Sequence, residues 1–437
     1  MIEARKLCIG LSLSSTWLKG DNWRRPESRV EELYSSDLYA DLAVKAERAK
    51  LDFVFKPDAL HLNIEALDQS AGFGSLDPTV LMATIARETQ RIGLITTAST
   101  SFNAPYLVAR QLQSLHWASN GRAGLNIVTS MDGAANFGDR PLPPSEARYA
   151  GAAEFVEVVR RLWDSYPHET LRLDRASGRF GDSSGVHPID YRGEHYHVRG
   201  PLNVPSHPAG GPPLLQAGAS PAGRAFAAAT ADAVFAASPD SAAGIELRRD
   251  LRQRAADAGR RPDEVRVLPG LYFFLARTRA EAMELHREAH VHLDEERRYA
   301  SVERLLGIDL RETPPDRPVT EAMLDDPSAA RPVWSRTHAE QLRALVRREQ
   351  PTVRALLSRP EVVGSGHWVV AGTPEDALEA IVARREAGAL DGLIALPGGS
   401  LSSLDLFLEE VVPMLAERGM FRDAYTGTTL REHLDMG

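Results

Sequence analysis

Eight short apolar or β-branched runs recur along the chain, and helical patterns lie between most of them. The first four are KLCIGLSL (6–13), FVFKP (53–57), IGLITTAS (92–99) and GLNIVTS (124–130). The later four are PLLQAGAS (213–220), AVFAAS (233–238), VRVLPGLYFFLA (265–276) and GLIALP (392–397). The spacing between them predicts helices over 36–50, 77–90, 105–119, 146–164, 222–231, 241–259, 279–299 and 374–388, with another at 401–418 after the last run. Such alternation implies a parallel sheet, since parallel neighbours need a long crossover that is usually helical. LCIGL and GLIAL are apolar on both faces, as strands covered on both sides are. Eight repeats, with no GxGxxG after the first run, predict an α/β fold of the closed (β/α)8 TIM-barrel kind rather than an open dinucleotide-binding sheet.

Three stretches exceed the minimal barrel: 131–145, 165–212 and about 300–372. The first is rich in Gly and Pro. The second contains the hairpin-like VHPIDYRGEHYHVRGPLN, and the third is charged and Pro-punctuated, with helices expected at 320–325 and 337–356. The expected organisation is one barrel unit over 1–437 with three insertions covering its mouth, where such additions are tolerated.

The charge balance narrows the function. Lys plus Arg number 51 against 60 Asp plus Glu, a net −9, which argues against a nucleic-acid binder. The single cysteine, Cys8, forms no intramolecular disulfide and no thiolate cluster, and it sits in the first run as a small core residue. No apolar stretch has the length of a membrane span, and the first residues lack a signal-peptide cleavage pattern. The expectation is a soluble cytoplasmic protein.

In a barrel of this kind the chemistry sits at the C-terminal ends of the strands. Those ends read Ser12 to Ser15, Pro57-Asp58, Thr97 to Ser101, Asn126 to Ser130, Gly218 to Ser220, Phe235 to Ser238, Gly270 to Tyr272 and Pro397 to Ser400. Hydroxyls, glycines and one carboxylate dominate. A hydrolase needs a carboxylate pair, a His-backed nucleophile or a metal cage. A neutral hydrogen-bonding rim suits a large polar cofactor that brings its own chemistry. Within QAGASPAG, Ser220 is placed to cap a helix whose free N–H groups would accept a phosphate, although a tight β-to-α turn requires the same small residues. Asn126 inside a strand needs partners, because an unpaired buried polar group costs ~1–3 kcal/mol.

GRAGLNIVTSMDGAANFG (121–138), RY (148–149), LWDSY (162–166) and VRGPLNVP (198–205) resemble the bacterial-luciferase-like flavin monooxygenases. Within these the chain is most similar to the branch of nitrilotriacetate, dibenzothiophene-sulfone and long-chain alkane monooxygenases. WRRP (23–26), QAGAS with GR (216–224), VLPGL (267–271) and VVPMLAERGMFRDAYTGTTLREHL (411–434) carry the same resemblance. It implies a two-component enzyme that takes reduced FMN from a separate NAD(P)H:flavin reductase. With O2 the flavin forms a C4a-(hydro)peroxide that oxygenates a small organic substrate.

By the same resemblance Asp58, Asn126 and Val128 contact the flavin, with Ser99 a further candidate. Thr129 or Ser130 supplies a hydroxyl to the oxygen adduct, one register step separating the two. Tyr149, Gly218, Ala219 and Ser220 hold the phosphate, while Phe55 and Phe235 stand near the substrate. The chain departs from the family at Lys56-Pro57, where Leu-Ala is usual, at Leu125, where Trp is common, and at His116-Trp117 in place of Asp-His. These departures leave the substrate open. A deazaflavin-dependent hydride-transfer enzyme of the same superfamily and a non-catalytic flavin-binding protein are the alternatives. Outer apolar helix faces and the resemblance predict a homodimer or homotetramer.

His61, three residues past Asp58, is the rim histidine nominated for catalysis, although a partly exposed loop histidine without a catalytic role is the favoured reading. Trp17 and Trp23 line a substrate pocket or fold their loop. HREAH (286–290) is read as a solvated helix face, His195 and His197 as packing or exposed positions, and no metal site is expected.

Overall fold

The computed structural model describes residues 5–436 except 131, 140, 219, 292, 294, 327–330, 332, 334–335, 360–361 and 363–365. Among these residues thirteen strands form in chain order: β1 (Cys8–Ser12), β2 (Phe53–Phe55), β3 (Gly93–Ser99), β4 (Ala123–Val128), β5 (Leu171–Asp174), β6 (Arg179–Gly181) and β7 (Tyr191–Arg192). They continue as β8 (His197–Val198), β9 (Leu214–Gln216), β10 (Ala233–Ala236), β11 (Arg266–Leu275), β12 (Trp368–Gly372) and β13 (Gly392–Pro397). Each of the eight apolar runs of the sequence coincides with a barrel strand, β4 starting one residue early at Ala123. In order β10-β9-β4-β3-β2-β1-β13-β11 they pair in parallel, and β10 closes on β11 through Ala233↔Arg266 to Ala236↔Pro269. The result is a closed eight-stranded TIM barrel with helices outside.

Alternation along the strands sorts the side chains. Cys8, Phe53, Phe55, Ile95, Leu215, Ala233, Leu268 and Ile394 form a cluster inside the barrel. Ile9, Leu11, Val54, Leu94, Leu125, Leu271 and Leu393 belong to the core shared with the surrounding helices. Leu430 and Leu434, from the C-terminal segment, join the inner cluster. The short helix Leu430–His433 that presents Leu430 is set by a capping box between Thr429 and Glu432. Several barrel helices begin on side-chain caps, Asp77, Ser220, Asp240, Thr278 and Thr373 among them, each accepting a first-turn N–H.

Four details differ from the sequence expectations. The stretch expected as one helix over 279–299 is two helices, Arg279–Ala289 and Glu295–Leu306. The region 337–356 divides into Arg336–Glu349 and Val353–Leu357 around Pro351, which has no N–H to continue the ladder. The helix at 401–418 carries a π-turn at Phe407–Val411 just before Pro413. Finally, the third insertion is not all excursion. Its last piece, β12, pairs in parallel with β11 from Leu271↔Trp368 to Leu275↔Gly372, beyond the residues of β11 that pair with β10.

The second insertion supplies the hairpins β5–β6 and β7–β8. Between Tyr299 and Val362 the third builds an apolar cluster of its own, including Val302, Leu306, Val346 and Leu356. Among the described residues no helix is long and apolar enough to cross a membrane.

Candidate active site

The register of β3 and β4 sets Thr97 beside Asn126 and Ser99 beside Val128 at the C-terminal mouth. Asn126 is 2% exposed. Its Nδ2 donates to Thr97 Oγ1 at 3.1 Å, and that hydroxyl donates to the Lys56 carbonyl at 2.7 Å. The Oδ1 of Asn126 is buried and accepts no hydrogen bond. An acceptor left so costs ~1–3 kcal/mol, so this amide is half of an interaction. Above it the chain turns at Ser130, whose φ of 48° is left-handed, and Ser130 Oγ donates to Ser99 Oγ at 2.7 Å.

The two adjacent hydroxyls diverge. The Thr129 side chain lies close enough to the hydroxyl of Tyr149, as do those of Ser220 and Gln216, to oppose the effect of burial on that phenol. Gln216 Nε2 donates to Tyr149 Oη at 3.4 Å, leaving a second buried acceptor, Gln216 Oε1, without a partner. Burial raises the Tyr149 pKa, which keeps it a neutral phenol able to donate.

Ser220 Oγ accepts from the Gly223 N–H at 3.1 Å and so caps the helix Pro221–Thr230. A Cβ on Gly218 would lie 2.6 Å from Tyr149 Oη, and one on Gly223 would lie 2.8 Å from it. Two glycines therefore hold space for a phenol and a hydroxyl at a helix N-terminus, where backbone donors and the dipole favour an anion. Ala219 lies outside the described residues.

A third group is aromatic. Phe55 meets Phe235 edge-on at 5.6 Å between centroids, and Phe235 stacks on His367 at 5.2 Å. Asp58 is half-buried in the loop three residues past β2, where it accepts from the Ala59 N–H at 3.0 Å. Burial first, and then Asp77, raises its pKa, opposed by that hydrogen bond and by Lys56.

Three nominated residues stand apart from these groups. His61 packs on Phe73 at 5.4 Å between centroids, on the loop after β2. Trp17 is fully buried and its indole N–H donates to the Ser28 carbonyl at 2.9 Å, so it folds its own loop. Trp23 is 37% exposed. HREAH is not a solvated face: His290 is 7% exposed and its ring lies against Phe274 and His286. No group of metal-ligating side chains forms among the described residues.

Thr97, Gln216 and His367 join these groups without having been singled out from the sequence. The first two lie in quoted rim stretches, and their period-two position was the available signal. His367 immediately precedes β12, whose run WVVAG is strand-like yet lies within the span read as an insertion.

The family model for luciferase-like monooxygenase matches residues 22–391. Nitrilotriacetate monooxygenase component A of Aminobacter aminovorans is 36% identical, over 99% of this chain and 97% of that protein. N-acetyl-S-(2-succino)cysteine monooxygenase of Bacillus subtilis (strain 168) is 34% identical, again over 99% of this chain and 97% of the other. The solved structure of riboflavin lyase (RcaE) with modified FMN and substrate riboflavin superposes with a TM-score of 0.83 at 30% identity, covering 98% of this chain and 96% of that one.

Proposed function

Because the chain belongs to the luciferase-like monooxygenase family and is a flavin-dependent monooxygenase, we propose that it is the oxygenase of a two-component system. It takes reduced FMN from a separate NAD(P)H:flavin reductase in the cytoplasm and uses O2 to oxygenate a small organic substrate at the barrel mouth. The observation that carries this reading is a pair of half-made interactions: the orphaned Asn126 Oδ1 and the anion cradle of Tyr149, Ser220, Gly218 and Gly223. FMN matches both, having ring N–H donors at one end and a phosphate at the other, and a relative's solved structure contains a modified FMN.

Bound reduced FMN would supply the electrons that activate O2, one oxygen atom going to substrate and the other to water. Tyr149, Ser220 and the first N–H groups of the helix Pro221–Thr230 would hold the phosphate. Asn126 Oδ1 would accept from the ring, its amide fixed by Thr97. Ser130 and Ser99 form a hydroxyl pair at the same mouth and would donate toward developing negative charge, while Phe55, Phe235 and Val128 would keep water out.

The test is rapid mixing of the anaerobic protein–reduced FMN complex with oxygenated buffer, followed by absorbance. The expected result is a transient that decays more slowly than free reduced FMN oxidises. Oxidation indistinguishable from that of free flavin would remove the oxygenase reading, and failure to bind FMN would remove the cofactor assignment.

A further inference from the structure

The loop after β1 is stitched to the top of the barrel. Thr16 Oγ1 donates to the Pro397 carbonyl at 2.5 Å, and Tyr272 Oη donates to the Thr16 carbonyl at 3.3 Å. Just beyond, Asp21 N–H donates to the Glu288 carbonyl at 3.1 Å and Asn22 Nδ2 to the Leu285 carbonyl at 3.3 Å. Lys19 is thereby held between β11 and the end of the helix Arg279–Ala289. Its Nζ lies 5.0 Å from the centroid of the Tyr272 ring.

Lys19 is half-buried and its ammonium, among the described residues, pairs with no carboxylate. Glu288, the nearest acid in sequence on that helix end, is engaged by Arg25 at 2.7 Å. The carbonyls that a helix C-terminus offers a cation are engaged as well. Leu285 and Glu288 accept from the loop as above, Arg287 accepts from His290 N, and His286 accepts from His290 Nδ1 at 2.8 Å. Desolvation lowers the Lys19 pKa with no acid opposing it. A fixed cation on one ring face, lacking a counter-ion, is the complement of an anion.

His290 supplies an independent sign of a ligand. Its Nδ1 faces a carbonyl and so carries the proton, which leaves Nε2 as an acceptor. That Nε2 is buried and has no partner, in a side chain only 7% exposed. Burial, reinforced by His286, Lys19 and Arg298, pushes the ring pKa down to about 4, so the acceptor persists at neutral pH. Tyr272, under Lys19, and Phe274, against the His290 ring, pack in one cluster with Leu396 and Phe235, and Phe235 is the ring that meets Phe55. The Lys19 corner and the candidate flavin mouth are thus two ends of one aromatic wall.

We infer that Lys19 and His290 form a substrate subsite for an organic carboxylate, with Lys19 Nζ binding the carboxylate and His290 Nε2 accepting an N–H or O–H of the same molecule. This rests on reading the barrel mouth as the oxygenation site, and it makes the substrate an organic acid whose oxidisable end reaches Phe55 and Phe235. Lys19 and His290 are specificity residues here and take no part in the oxygen chemistry.

The test is binding, read separately from turnover. Purified protein is titrated with a panel of aliphatic and aromatic carboxylic acids and N-acylamino acids, each beside its primary amide, with equilibrium dialysis as the readout. At least one acid is expected to bind about 10- to 100-fold more tightly than its amide, the span of a charge-assisted hydrogen bond. Lys19→Met should abolish that preference, Lys19→Arg should keep most of it, and His290→Phe should weaken only acids that carry a donor. FMN affinity, unchanged in all three, and a single cooperative melting transition are the controls. No acid preferred over its amide, or a preference that survives Lys19→Met, overturns the inference. Acid binding that depends on Lys19 in a protein that binds no FMN would sustain the subsite and remove the flavin reading instead.

Discussion

At the scale of single residues, the candidate site is built of groups that the protein leaves unsatisfied. Asn126 places a buried amide where an apolar residue would suit the fold better. Asn126→Leu should therefore leave the melting temperature unchanged or higher while weakening FMN binding by about tenfold or more, measured by fluorescence titration. A lower melting temperature with unaltered flavin affinity would make Asn126 a structural residue. Gly218→Ala should be selective, because its Cβ would press on Tyr149 Oη at 2.6 Å. It should cost affinity for FMN but little for riboflavin, which lacks the phosphate, and equal losses for the two would remove Gly218 from the cradle. Lys56 is different. It is 4% exposed and its pKa is lowered from 10.5 to about 8, first by burial, with Asp58 opposing. The unfolded chain holds that proton more tightly, so Lys56 makes stability rise with pH between about 8 and 10.5 and leaves it flat below. Lys56→Leu should stabilise the protein at pH 7 by about 2 kcal/mol and remove the alkaline rise, as read by urea unfolding across pH. Of these residues Asn126 and Gly218 were legible in the sequence, since an amide inside an apolar strand and small residues before a helix are local anomalies. The unmet valence of Asn126 was not, because it depends on Thr97 from the neighbouring strand.

At the scale of elements, the strand ends do the positioning. One residue of β-register decides which of Thr129 and Ser130 faces which partner, and the left-handed turn at Ser130 separates them. The sequence supported either hydroxyl; only the packing of the helix Ser145–Asp164, which carries Tyr149, distinguishes their surroundings. At the other end of the barrel the C-terminal helix inserts Leu430 among Cys8, Phe53 and Ile95. Leu430→Ala should destabilise the barrel by ~2–5 kcal/mol in chemical denaturation, since the closed interior has little freedom to collapse on the void. A change below ~1 kcal/mol would show that this segment merely lies over the barrel.

At the scale of the whole molecule, the chain contains a barrel with its inner and outer cores and a further apolar cluster between Tyr299 and Val362. Val346, fully buried in that cluster, offers a handle on whether it melts with the barrel. Val346→Ala should increase hydrogen exchange across 299–362 and leave β1 to β4 protected, whereas uniform loss of protection would mean a single cooperative unit. We propose that the chain is organised as one barrel with three insertions that act as lid and pocket, and that it assembles as a homodimer or homotetramer. Sedimentation at several concentrations tests the assembly.

The barrel, its strand list and the family resemblance were determined by the sequence alone. Period-two and period-3.6 patterns act over a few residues, and glycines and caps mark their ends locally. β12, the burial of His290 and the divergence of Thr129 from Ser130 were decided only by tertiary structure. So were the lone ammonium of Lys19 over Tyr272 and the insertion of Leu430 into the barrel. Each depends on which distant segment arrives beside it: β12 on the upper half of β11, His290 on Phe274, Lys19 on a helix end some 270 residues later. Burial and unmet hydrogen bonds are properties of such meetings, and no window of neighbouring residues contains them.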